Sequence, residues 1–129
     1  MANRYGEAAI MAVRQAASVG LTPADRWERA MEKVYPTSPG ARKKAGPRSA
    51  FLSLCEAGLV KDIPAGRYTK TQDNKPYAVQ AVALLIEGAQ RWSVSTLWQK
   101  VTDGADTVHN GQMDIVLALW NNHLIIGRS

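Results

Sequence analysis

Proline and glycine recur in this chain where helices start and stop, and that punctuation constrains the fold more than any other feature. Thr22-Pro23-Ala24-Asp25 supplies a capping hydroxyl, a proline at the first helical position and a carboxylate in the first turn. Ser38-Pro39 repeats the cap-plus-proline signal, and Gly46-Pro47 opens a further helix through Ala57 that Gly58 closes as a left-handed cap. Gly20, Pro36 and Gly88 end other helical runs. A chain punctuated in this way folds as several short helices.

The apolar spacing between those marks agrees. Tyr5, Ala8, Ala12, Val13 and Ala16 form one stripe over residues 4–19. Trp27, Ala30, Met31 and Val34 face inward on the second helix, while Glu28 and Glu32 pair with Arg29 and Lys33 outside. Phe51, Leu54 and Cys55 define the core side of the helix after Pro47. Tyr77 or Ala78, with Val82, Leu85 and Ile86, marks a long helix from about Lys75 to Gly88. Residues 93–102 give a shorter helix with Ser93 or Ser95 as cap and Leu97, Trp98 and Val101 apolar. Asn110 begins a last one with Met113, Val116, Leu117 and Trp120 on one face. Of the four tryptophans, Trp27, Trp98 and Trp120 sit in core registers, and Trp92, beside Arg91 between two helices, is the candidate for exposure. Leu59–Ile63 and Arg67–Thr69 flank Pro64-Ala65-Gly66 and predict two extended arms around a turn. His123–Ile126 reads as a short strand or a packed tail. The expectation is a mainly α fold, a compact helical domain of about six or seven helices with one short β-hairpin, as a single globular domain over residues 1–129.

Composition excludes several classes. With 46% apolar and 21% charged residues, the 129-residue chain can bury a core without staples. Cys55 is alone, so an internal disulfide and a CxxC site are excluded, and its apolar setting marks it as a packed thiol. The longest apolar run near the start, Ala8–Val13, is too short for a secretory signal, and none approaches a membrane span. A cytoplasmic location without membrane contact is expected.

The net charge of +5 is concentrated in one segment. Arg42, Lys43, Lys44, Arg48, Lys61, Arg67, Lys70 and Lys75 stand against Glu56, Asp62 and Asp73, and the remainder of the chain is neutral. Such a concentration suggests a face for an anionic partner. Arg42, Lys43 and Lys44 lie close to the Pro47 helix start, whose free N–H groups attract phosphate. Arg67 and Lys70 lie on or just after the turn, with Tyr68 available to stack on a base, and Asn74 and Lys75 stand at another helix start. The alternative is a solvated cationic face that holds only counterions.

Catalytic signatures are sparse. The chain has no phosphate-binding glycine loop, no GxSxG turn and no HExxH pair. His109 and His123 lack ligand-type neighbours at metal spacing, so neither a metal nor another cofactor is expected. The richest polar cluster is His109-Asn110-Gly111-Gln112-Met113-Asp114. Helix initiation accounts for it, with Asn110 as cap and Gln112 or Asp114 complementing the dipole. The functional reading is a small-ligand or acid–base site of His109, Asn110, Gln112 and Asp114 with Lys75 or Tyr77.

Four blocks carry a family likeness: Lys43–Leu52 (KKAGPRSAFL), Cys55–Pro64 (CEAGLVKDIP), Asn74–Ala78 (NKPYA) and His109–Trp120 (HNGQMDIVLALW). Together they resemble a group of small bacterial proteins catalogued only as a domain of unknown function, over nearly the whole chain. The resemblance implies a free-standing single-domain bacterial protein and carries no activity or assigned site. Glu56-Ala57-Gly58-Leu59-Val60 followed by an arm with Arg67 and Lys70 is also similar to the helix-then-wing join of winged-helix proteins. There the helix before the wing presents polar and basic residues to DNA, whereas residues 50–57 here are largely apolar. The residues therefore favour a non-enzymatic binding module that meets nucleic acid phosphates through Arg42, Lys43, Lys44, Arg48, Arg67, Lys70 and Lys75. The alternatives are a protein-interaction or inhibitor module docking on an acidic partner, and the ligand site around His109.

Overall fold

A computed structural model describes residues 4–14, 21–68, 75–88, 90–104 and 111–126. The protein is mainly α. Its helices are α1 (Tyr5–Arg14), α2 (Pro23–Val34), α3 (Pro39–Arg42, a single turn), α4 (Ala45–Glu56), α5 (Lys75–Glu87), α6 (Val94–Val101) and α7 (Gln112–Asn121).

Local chemistry explains several of their starts. Thr22 Oγ1 accepts from the Asp25 amide at 3.1 Å, while Asp25 accepts from the Thr22 amide at 3.4 Å, with Pro23 first in the helix. This reciprocal box satisfies two of the donors that a helix start leaves open. Ser93 and Thr96 build the same box at α6. Ser38 sits at the cap of α3 but makes no side-chain cap bond. The α7 cap position is Gly111, and the expected cap Asn110 lies outside the described residues.

Two helices form the centre. α7 packs against α1, α4, α5 and α6, and α4 packs against α2, α5 and α7. Nine of the twelve α4 residues are buried, which leaves this helix without a solvated face. Trp27 of α2 stacks on Phe51 of α4 with ring centroids 5.3 Å apart. The buried hydrophobic residues form one cluster that all the helices except α3 share. α1 comes close to α7 at Gly6, where an added Cβ would lie 2.8 Å from that of Ala118.

The buried stripes of α1 and α2 match their periodicity, with Tyr5, Ala8, Ala12 and Val13 on one and Trp27, Ala30, Met31 and Val34 on the other, while Ala16 of the expected α1 stripe lies outside the described residues. In the central helices the pattern is less informative. On α7, Ile115 and Leu119 are buried where Leu117 and Trp120 were expected, and these two are only half-buried. On α5, Ile86 is 47% exposed and Ala81 takes its place in the core. Both sequences are apolar on several sides, so the 3.6-residue period does not choose among their faces.

The expected β-hairpin is absent from the described residues, and with it the wing of a winged-helix arrangement. Val60 pairs instead with Ile125 in an isolated antiparallel bridge, supported by Lys61 N donating to Leu124 O at 2.9 Å and Ile126 N to Leu59 O at 2.8 Å. The other arm turns back on α4: Gly66 N donates to Glu56 O at 3.3 Å, and Tyr68 N to Glu56 Oε1 at 3.0 Å. The segment after α4 thus satisfies its backbone with the chain's tail and with a buried carboxylate. Each of these partners is remote from the turn that a local hairpin would need.

Among the described residues, no helix is long and apolar enough to cross a membrane.

Candidate functional site

The basic segment is threaded along α4 and its flanks, and its charges have different fates. Arg42 is half-buried. Its Nη1 donates to the carbonyls of Tyr35 at 2.9 Å and Pro36 at 3.0 Å, so the guanidinium closes the C-terminal end of α2. A cation there also complements the negative end of the helix dipole. Arg48 faces Glu28 of α2 at 4.0 Å, a loose pair with both side chains partly exposed. Such a pair contributes little, about 0–1 kcal/mol.

Lys43 and Lys44 are exposed, at the start of α4. The helix begins at Ala45, two residues before the proline that was expected to open it. Lys44 occupies its cap position in extended conformation, no side chain caps it, and the first turn holds no acid. The amides of Ala45 and Gly46 therefore have no partner within the helix. Two exposed lysines thus immediately precede a positive helix end, an arrangement suited to phosphate.

Arg67 is also exposed, but it is held at the other end of α4 by the bonds that Gly66 and Tyr68 make to Glu56. Twelve helical residues at 1.5 Å each put about 18 Å between the two ends. The basic segment is thus divided by the length of α4. Lys75 opens α5, and Lys70 lies outside the described residues. Tyr68 is half-buried and donates its hydroxyl to Pro64 O at 2.6 Å, which ties the ring to its own loop.

Of the alternative ligand site, Tyr77, Gln112 and Asp114 are among the described residues. Tyr77 is half-buried, edge-on to Trp98 of α6 with centroids 5.3 Å apart. Gln112 is buried at the start of α7, and Asp114 lies on the α7 turn that meets Gly6 of α1. His109 and Asn110 lie outside the described residues. Among the described residues, no three His, Cys, Asp or Glu side chains are grouped to hold a metal.

Cys55 is buried, and burial pushes its thiol up to about 12, far from the thiolate that nucleophilic chemistry needs.

Two concave regions had no signature in the sequence. A cleft of about 590 Å³ lies between the end of α5 and α6, lined by Leu84, Glu87, Gln90, Trp92, Thr96, Gln99 and Lys100. Trp92, expected to be exposed, is half-buried there, and its Nε1 is enclosed without a hydrogen-bond partner. A second hollow of about 280 Å³ is bordered by Arg26, Asp62 and Tyr68. The first cleft is lined from one stretch, residues 84–100, and the second from residues 21–26 and 62–68, but neither set forms a motif; only Trp92, an aromatic between two helices, gave any sign.

No curated protein and no solved structure matches the chain. A family model matches residues 2–126, nearly the whole chain and all four of the sequence blocks, and the chain therefore belongs to the family of unknown function DUF6979.

Proposed function

We propose that the protein is a non-enzymatic module that engages nucleic acid through phosphate contacts at the start of α4. Lys43 and Lys44 supply the charge, the amides of Ala45 and Gly46 receive a phosphate oxygen, and Arg67 makes a separate contact at the far end of the helix. The observation that carries this is the contrast between helix starts. α2 and α6 close theirs with reciprocal side-chain boxes, whereas α4 opens without a side-chain cap or an acid, directly after two exposed lysines. Phosphate contacts of this kind give affinity with little sequence preference.

Fluorescence anisotropy with labelled duplex and single-stranded oligonucleotides tests it. With about two or three contacts, log K should fall with log salt at a slope near 0.9 per contact for duplex and 0.7 for single strands. Lys43→Glu with Lys44→Glu should abolish most of the binding. Absence of binding at low salt, or indifference to that double substitution, refutes it.

The division of the charges along α4 also suits an acidic protein surface, because only a small cluster is presented at each end. A stoichiometric protein partner that persists after nuclease treatment and is lost in the same double variant would favour that second reading.

A further inference from the structure

The cleft between α5 and α6 has the chemistry of a ligand site in its own right. Its floor is apolar, formed by Leu84 and the Trp92 ring, both half-buried against the core. Its volume of about 590 Å³ lies within the range of small-molecule sites. Glu87 ends α5, and no basic residue occupies the last turn of that helix, so its carboxylate and the C-terminal end of the helix dipole make a negative pole. On α6, Thr96, Gln99 and Lys100 share the face opposite buried Leu97 and Val101, and Lys100 brings a positive charge to the same cleft. Among the described residues, neither Glu87 nor Lys100 has an ion-pair partner.

A simple cation entering this cleft would face Lys100, and a simple anion would face Glu87. An uncharged apolar ligand would cover both charges without neutralising either, at a desolvation cost. A ligand with separated ammonium and carboxylate groups and an apolar side chain satisfies all three features. We infer that the α5–α6 cleft binds a small zwitterion of the amino-acid type. Its ammonium lies toward Glu87 and the end of α5, its carboxylate toward Lys100 with Gln90 and Gln99 as neutral hydrogen-bonding groups, and its apolar side chain on Leu84 and Trp92. A free amino acid and a short peptide share this chemistry and differ in the spacing of their charges.

Titration of the full chain with leucine and with leucylleucine, followed through the tryptophan indole N–H resonances, tests the assignment. The Trp92 resonance, identified by its loss in Trp92→Phe, should shift saturably with at least one of the two, and the tighter binder separates amino acid from dipeptide. Isoamylamine and isovalerate carry one charge each and should bind at least about tenfold more weakly. Glu87 and Lys100 are exposed, so charge reversal there leaves the core intact. Glu87→Lys and Lys100→Glu should each weaken binding about tenfold, and the double exchange should recover most of the loss by reversing the ligand. Lys43→Glu with Lys44→Glu should leave this binding unchanged, which separates it from the phosphate contacts. The inference is overturned by a Trp92 resonance that stays in place up to about 10 mM ligand, a concentration that would reveal even millimolar affinity. It is equally overturned by an equal response to isoamylamine, or by single charge reversals without effect.

Discussion

The amide of Tyr68 donates to the buried carboxylate of Glu56 at 3.0 Å, across twelve residues of chain. That bond, with Gly66 N to Glu56 O, fixes where the segment after α4 goes and therefore where Arg67 stands. Removing the carboxylate leaves a part-buried amide without its acceptor. Glu56→Ala should lower unfolding free energy in urea by about 2–3 kcal/mol, whereas Glu56→Gln, which keeps an acceptor oxygen, should cost about half as much. Equal losses for the two variants would show that the acceptor is not what Glu56 contributes.

Ser53 is fully buried in α4 and Ser49, one turn earlier, nearly so, and among the described residues neither hydroxyl has a hydrogen-bond partner. An unpaired hydroxyl in an apolar setting is a cost, and alanine is the better helix former. Ser53→Ala should therefore raise stability by about 0.5–2 kcal/mol in denaturant titration, with a smaller gain at Ser49. A loss at Ser53 would mean that the hydroxyl is satisfied in solution.

Helices with a single buried side were legible from the sequence, because one solvated face leaves a clear period. Trp27, Ala30, Met31 and Val34 on α2 show this, and so does the Thr22–Asp25 box at its start. On α4 the expected core residues Phe51, Leu54 and Cys55 are buried, but so are most of the others; on α5 and α7 the core side was legible only in part, since packing against several neighbours chooses among their apolar residues. The hairpin misread Leu59–Tyr68 because short apolar arms around Pro64-Ala65-Gly66 fit a local turn. The partners of Val60 and Tyr68 were Ile125 and Glu56, contacts that local pattern does not encode. The eight bases were visible as a charge run, but not that Arg42 would spend its donors on Tyr35 and Pro36.

Gly111 and Gly104 offer a controlled comparison at helix boundaries. Both have positive φ, +85° and +76°, but a Cβ at Gly111 would lie 2.8 Å from Tyr5 Cδ2, whereas at Gly104 no atom of the described residues beyond its chain neighbours would come within 4 Å. Gly104→Ala should cost only the left-handed backbone strain, about 1–2 kcal/mol. Gly111→Ala adds a clash between the start of α7 and the Tyr5 ring, for a total of about 2–4 kcal/mol. Thermal or urea unfolding of the two variants measures the difference, and equal costs would refute the steric part.

Cys55 gives a pH dependence of known sign. Its folded-state thiol titrates at about 12 against an ordinary value of 9.0, raised mainly by burial. The neutral form is favoured in the fold, so this contribution is fully present below pH 9 and is lost as pH rises from 9 toward 12. Stability of the wild type should fall more steeply over that window than that of Cys55→Ala, measured as the difference between the two in urea. At neutral pH the thiol should react with a disulfide reagent only through opening of the fold. Parallel stability curves for the two proteins between pH 9 and 12 would show that Cys55 is not desolvated.

Arg42 and its neighbours separate charge that holds the fold from charge that is free to bind. Arg42 Nη1 bridges two carbonyls at the end of α2, and alanine would leave both without that donor at a helix C-terminus. Arg42→Ala should cost about 1–2 kcal/mol of stability. Lys43 and Lys44 are exposed beside the open start of α4, and replacing them with alanine should leave stability within about 0.5 kcal/mol of wild type. Oligonucleotide affinity should respond in the opposite order, falling steeply for the two lysines and only slightly for Arg42 at temperatures where the variant is folded. The two properties are read on the same three variants, by urea unfolding and by anisotropy at low salt. If the arginine substitution weakened binding as much as the lysine pair without lowering stability, Arg42 would belong to the contact surface, and its bonds to Tyr35 and Pro36 would have to yield when the ligand arrives.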